Sequence, residues 1–107
     1  MKKILFVCSQ NKLRSPTAEN IFSQHPDLEV RSAGLNNDAL VTLGLEDIIW
    51  ADYIFVMEKT HLTKIRTLYK SELKNKKLVC LEIPDRYKYM DPNLIDILNK
   101  KVLSYIK

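Results

Sequence analysis

Two uninterrupted apolar runs, residues 3–7 (KILFV) and 53–57 (YIFVM), constrain this chain most, because each is followed within a few residues by a helical stripe. A run that stays apolar on consecutive positions, with β-branched and aromatic members, reads as a strand buried on both faces and hence as part of a parallel sheet. Residues 28–33 and 78–83 supply two more strands. Between them, Ala18, Ile21, Phe22 and His25 recur at helical spacing and predict a helix over 16–24. Val41, Leu45, Ile48 and Ile49 predict a short second helix. Leu62, Ile65, Leu68, Tyr69 and Leu73 predict a third, and Leu94, Ile95, Leu98, Val102 and Ile106 a closing one. Ser15-Pro16 and Asp91-Pro92 each read as an N-cap followed by proline at the first helical position. The order β-α-β-α-β-α-β-α, without a hairpin signal, implies right-handed crossovers and an α/β chain whose sheet is covered by helices on both faces. In such sheets ligands bind outside the carboxyl ends of the strands at a topological switch point, which draws attention to the loop after the first strand.

The 107 residues, 46% of them hydrophobic, suffice for one ordinary core, so residues 1–107 are expected to form a single domain. The opening apolar run is too short for a signal-peptide core or a membrane span, and a cytoplasmic protein without membrane contact is expected. Two distant cysteines, Cys8 and Cys80, make neither a disulfide framework nor a zinc site, so no metal or other cofactor is expected. The net charge of +4 favours anionic partners in general, but no nucleic-acid motif accompanies it. The densest basic cluster, Lys74, Lys76 and Lys77, reads as a solvated turn.

Chemistry concentrates in the first loop. Residues 8–15 are Cys8, Ser9, Gln10, Asn11, Lys12, Leu13, Arg14 and Ser15, a Cys-x5-Arg-Ser segment between a strand and a capped helix. A loop wrapped over a helix N-terminus turns successive backbone N–H groups inward and binds phosphate. The same field favours the thiolate of a cysteine at the start of the loop and makes Cys8 a nucleophile. Arg14 can grip two phosphoryl oxygens in a bidentate fork. His25 and His61, in no recognisable motif, read as helix-surface or packing residues.

The segment VCSQNKLRSPTAE, with RSAG at 31–34 and IFVMEKTHLTKI at 54–65, resembles the low-molecular-weight protein tyrosine phosphatases, of which this would be a short variant. The resemblance implies a three-layer α/β/α fold of flavodoxin-like, phosphotyrosine phosphatase I type, with a four-stranded parallel sheet in the order 2-1-3-4. It implies that Cys8 attacks phosphorus, that Arg14 clamps the transferring group, and that Asn11, Ser15 and Ser32 support the loop. It also implies an aspartate general acid on the loop after the fourth strand. Asp85, two residues before Tyr87, fits the family spacing, whereas Asp91 before Pro92 fits a helix cap better. Tyr87 and Tyr89 are candidate walls for an aromatic substrate. The expected substrate is a phosphotyrosine protein or a small aryl phosphate, hydrolysed through a cysteinyl-phosphate.

The chain departs from the family at Gln10, which replaces a loop glycine and requires that residue to avoid positive φ. Leu13 stands where the family has a second, protective cysteine, and Lys12 occupies a rim position where it favours acidic substrates. Two other activities are compatible with a Cys-x5-Arg loop. Arsenate reduction requires resolving thiols, for which only Cys80 in an apolar strand is available. A non-catalytic phosphate-binding module would keep the loop and lose turnover.

Overall fold

The computed structural model describes residues 2–106. The elements are β1 (Lys2–Cys8), α1 (Arg14–Phe22), β2 (Leu28–Gly34), α2 (Leu45–Trp50), β3 (Tyr53–Val56), α3 (Lys59–Leu68), β4 (Lys77–Cys80) and α4 (Pro92–Ile106). All strand pairs are parallel, and the sheet order is β2-β1-β3-β4, the expected topology.

The continuous apolar character of β1 follows from its central place. Ile4, Phe6 and Cys8 point to one face, where Ala18 and Phe22 of α1 and Leu94, Leu98 and Val102 of α4 cover them. Leu5 and Val7 point to the other, against Ile48 of α2 and Ile65 of α3. With one helix pair on each face, both sides of the strand must be apolar, so alternation disappears from the sequence. Phe6 stacks between Phe22 and Phe55, with ring centroids 5.5 Å away in each case. In α4 the buried residues Leu94, Leu98, Val102 and Ile106 recur every fourth position, one stripe laid on the sheet.

Several boundaries differ from expectation. Helix α1 begins at Arg14, with Leu13 as its N-cap, so Ser15 lies inside the first turn and does not cap the helix. Its hydroxyl is taken by the preceding loop, as described below. Val41 is outside α2; the segment before α2 instead bridges back to β2, with Gly34 and Thr42 paired. Helix α3 ends at Leu68, which is exposed, and Tyr69 and Leu73 fold back beneath it as a turn. Strand β4 ends at Cys80, yet the N–H groups of Leu81 and Ile83 still donate to Val56 and Met57, so the extended chain continues beside β3. Among the described residues no helix is long and apolar enough to cross a membrane.

Because Phe6 joins α1, β3 and the α4 side of the core in one stack, Phe6→Ala should cost about 3–5 kcal/mol. Urea unfolding followed by circular dichroism should show a lowered midpoint at unchanged slope; an unshifted midpoint would contradict this account of the core.

Candidate active site

The switch point of the sheet lies between β1 and β3, and chain leaving the carboxyl ends of these two strands builds the site. After Cys8 the loop turns through residues 9–13 into α1. Its carbonyls face outward: those of Cys8, Ser9 and Gln10 accept from the N–H groups of Leu35, Asn36 and Leu40, at 3.0, 2.9 and 3.0 Å. With its carbonyls held on the outside, the loop is left with its N–H groups on the concave side, the arrangement that receives an anion.

The turn itself is made by Asn11, at φ 57°, a left-handed conformation that asparagine tolerates better than most residues. Gln10 has no positive φ, so the missing glycine is accommodated as required. Asn11 is fixed from both sides, its Nδ2 donating to Ser15 Oγ and Ser32 Oγ at 2.9 Å each. Ser32 in turn donates to the Glu19 carboxylate. The structure therefore brings Asn11, Ser15 and Ser32 into one buried network. Cys8 Sγ lies 2.9 Å from Ser15 Oγ and accepts the Asn11 N–H at 3.3 Å.

Gly34 has a role here that its strand-end position alone did not reveal. A Cβ on this residue would lie 2.6 Å from Ala39 Cβ, 2.7 Å from Ser9 O and 2.9 Å from Asn11 N. The loop over residues 8–15 rests directly on β2 because there is no side chain between them.

Arg14 is 2% exposed. Its Nη1 donates to Glu58 Oε2 at 2.6 Å and to the Ile83 carbonyl at 2.9 Å, leaving the Nε–Nη2 edge for a ligand. Asp85 Oδ1 is 3.7 Å from Nε, with a side chain 60% exposed. Residues 8–10 and 12–14 together with Asp85 line a cavity of about 240 Å3. Asp91 is elsewhere, accepting the Asn93 N–H at 2.8 Å at the start of α4. Tyr87 packs against the core and Tyr89 receives a hydrogen bond from Asn20 Nδ2; neither is among the residues lining this cavity. The segment bearing them is pinned to α1 by the Met90 N–H, which donates to Thr17 Oγ1 at 2.9 Å.

His61, read from sequence as a surface or packing residue, is buried and belongs to the site. Its Nδ1 accepts the Glu58 N–H at 3.1 Å, so the proton of the neutral ring is on Nε2, which donates to Ser9 Oγ at 2.8 Å. Burial pushes the His61 pKa below its usual value, and the nearby Arg14 guanidinium adds to this; Glu58 and Asp85 act in the opposite sense. Its role went unseen because the contact links residues 52 positions apart. Among the described residues, no cluster of three or more His, Cys, Asp or Glu side chains is placed to hold a metal.

Two outcomes follow from these contacts. Gly34→Ala should push the loop off β2, costing about 1–3 kcal/mol and weakening phosphate binding; an unchanged urea midpoint and unchanged phosphate affinity would refute the close approach. The unfolded chain takes up a proton on His61 as pH falls through about 6.5, while the folded protein resists until a lower pH. The contribution of His61 to stability is thus full above that value and is lost as pH falls through the folded pKa. Parent minus His61→Asn stability, from urea midpoints, should shrink as pH is lowered below about 6.5 and should not change above it. A pH-independent difference would remove the neutral-ring assignment.

Residues 3–44 match the family described as low molecular weight phosphotyrosine protein phosphatase. A search of curated proteins finds no match. Solved structures match over nearly the whole chain. The tyrosine phosphatase Wzb from Escherichia coli K30 is 20% identical with a TM-score of 0.78, covering 97% of this chain and 95% of its own. The tyrosine phosphatase AmsI of Erwinia amylovora is 22% identical with a TM-score of 0.78, covering 98% and 91%. The YwlE arginine phosphatase of Geobacillus stearothermophilus is 20% identical with a TM-score of 0.75, covering 97% and 94%. Similarity to the low molecular weight phosphotyrosine protein phosphatase family is thus found by sequence over residues 3–44, and over nearly its whole length the chain shares the fold of Wzb and AmsI.

Proposed function

We propose that this protein hydrolyses phosphomonoesters, with phosphotyrosine as the favoured substrate class, through a cysteinyl-phosphate intermediate. The observation that carries the reading is the convergence of Cys8, Arg14 and Asp85 on one small cavity floored by the inward-facing loop. The Cys8 thiolate attacks phosphorus; the S–P bond forms as the ester P–O bond breaks, and the leaving oxygen takes the proton of the Asp85 carboxyl group. In the second step Asp85 removes a proton from water, which attacks phosphorus, breaks the S–P bond and returns inorganic phosphate and the thiolate. Arg14 holds two equatorial oxygens through its Nε–Nη2 edge, which Asp85 faces at 3.7 Å, while Glu58 and Ile83 fix the guanidinium from behind. Lys12 at the cavity lining favours acidic peptides and works against the cationic leaving group of a phosphoarginine, the substrate type named for the YwlE enzyme. A reducing compartment such as the cytoplasm suits a mechanism that needs a free thiolate.

The placement of the two thiols counts against arsenate reduction. Cys8 packs with the α1 and α4 side of the sheet and Cys80 with the α2 and α3 side. Strand β3 separates their strands, a span of about 10 Å, beyond the roughly 7 Å limit for a disulfide between Cα atoms.

Under reducing conditions and with chelator present, the protein should release phosphate from p-nitrophenyl phosphate and from a phosphotyrosine peptide, and more slowly from a phosphoarginine peptide. Cys8→Ser and Arg14→Ala should each lower kcat/KM by about 10³-fold or more, and Asp85→Asn by about 10²-fold with loss of one limb of the pH profile. Full activity in Cys8→Ser would sink the mechanism. Phosphate or vanadate binding without turnover in the parent would leave a binding module.

A further inference from the structure

The charge of this chain is concentrated in one place. Between Lys64 and Lys77 there are six cations and a single carboxylate, Glu72, a net +5, whereas the whole chain carries +4, which leaves −1 for all other residues. Four of those cations, Arg66, Lys70, Lys74 and Lys76, line one groove of about 440 Å3 together with Leu73 and Leu78. The two leucines are partly buried and rest on the α2 and α3 side of the core, so they form an aliphatic floor. Elsewhere Arg14, Arg31, Lys59 and Lys100 each have a carboxylate within 4.0 Å; among the described residues, none of the four groove cations does. Lys76 Nζ donates to the Ile49 carbonyl at 2.8 Å, but among the described residues no carboxylate offsets the four like charges, and an anion from outside would relieve their repulsion.

The groove is also remote from the catalytic cavity. It lies where α3 ends and β4 begins, at the amino end of the parallel strands and on the edge strand, whereas Cys8 ends β1 at the carboxyl side. Substrate phosphate bound at the loop therefore does not explain it.

We propose that this groove docks an acidic segment of a protein partner, with aspartates or glutamates meeting the four cations and an aliphatic side chain between them seated on Leu73 and Leu78. The lining favours peptide over nucleic acid. Among the described residues no aromatic side chain lines the groove to stack a base, and a phosphate backbone would leave the two leucines uncovered. An acidic-aliphatic peptide satisfies both the charge and the apolar floor, and its affinity should fall as salt is raised.

The test is fluorescence anisotropy with a labelled peptide alternating glutamate and leucine, and with a labelled single-stranded oligonucleotide of equal charge. Parent protein is compared with Lys70→Glu/Lys74→Glu and with Lys88→Glu/Lys100→Glu, which makes the same change in net charge elsewhere. All four positions are exposed, and urea midpoints verify that both variants remain folded. The parent should bind the peptide, and the groove variant should weaken it about tenfold or more, equivalent to about 1.4 kcal/mol, with the control variant close to the parent. Failure of the parent to bind, equal losses in both variants, or tighter binding of the oligonucleotide through the same lysines would each overturn the proposal. None of these readings depends on phosphatase turnover.

Discussion

Three outward-facing carbonyls hold the site in shape. Those of Cys8, Ser9 and Gln10 are all satisfied by the chain that follows β2, and this leaves the loop's donors on the side where an anion would sit. Burying such a loop without partners for its carbonyls would cost free energy at each one, so residues 35–40 are as much a part of the site as residues 8–15. The missing side chain at Gly34 lets the two segments meet, and the left-handed turn at Asn11 completes the curve. Each of these conditions depends on the others. A loop lifted by a methyl group at residue 34 would lose its carbonyl partners and its contact with Ser32 together.

Electrostatically the site is a buried guanidinium supported from behind. Arg14 could not sit at 2% exposure without partners, and Glu58 and the Ile83 carbonyl provide them while leaving one edge of the fork open. Glu58 also supplies, through its backbone N–H, the bond that fixes the ring of His61, and His61 holds Ser9. One short segment at the start of α3 thereby sets the Arg14 guanidinium and the second residue of the loop, joining the chain ends after β1 and β3 across the switch point.

Much of this was legible in the sequence, for identifiable reasons. The strands showed because β1 and β3 are covered on both faces, which makes them apolar without interruption. The Cys8 to Ser15 loop showed because its residues are contiguous. The start of α1 was misplaced because Ser15 and Pro16 carry a cap signature, while the Ser15 hydroxyl is in fact committed to Asn11 and Cys8. Val41 joined a helical pattern by spacing, yet its backbone carbonyl binds the Gly34 N–H and its side chain is exposed. His61 and Glu58 were invisible as site residues because their partners lie more than forty positions away. Tyr87 and Tyr89 fitted an aromatic wall by sequence position, and the core contact of one and the Asn20 bond of the other could not be read from that position.

The separation of the two thiols onto opposite faces of the sheet has a redox consequence. If an oxidant converts Cys8 to a sulfenic acid, no second sulfur within the molecule can reach it to form a protective disulfide, and Leu13 offers none beside it. Recovery then depends on a thiol from solution, such as glutathione, entering the cavity and forming a mixed disulfide that a second thiol resolves. A sulfenic acid left waiting is open to further, irreversible oxidation, so the working lifetime of this site is tied to the reducing capacity of its surroundings.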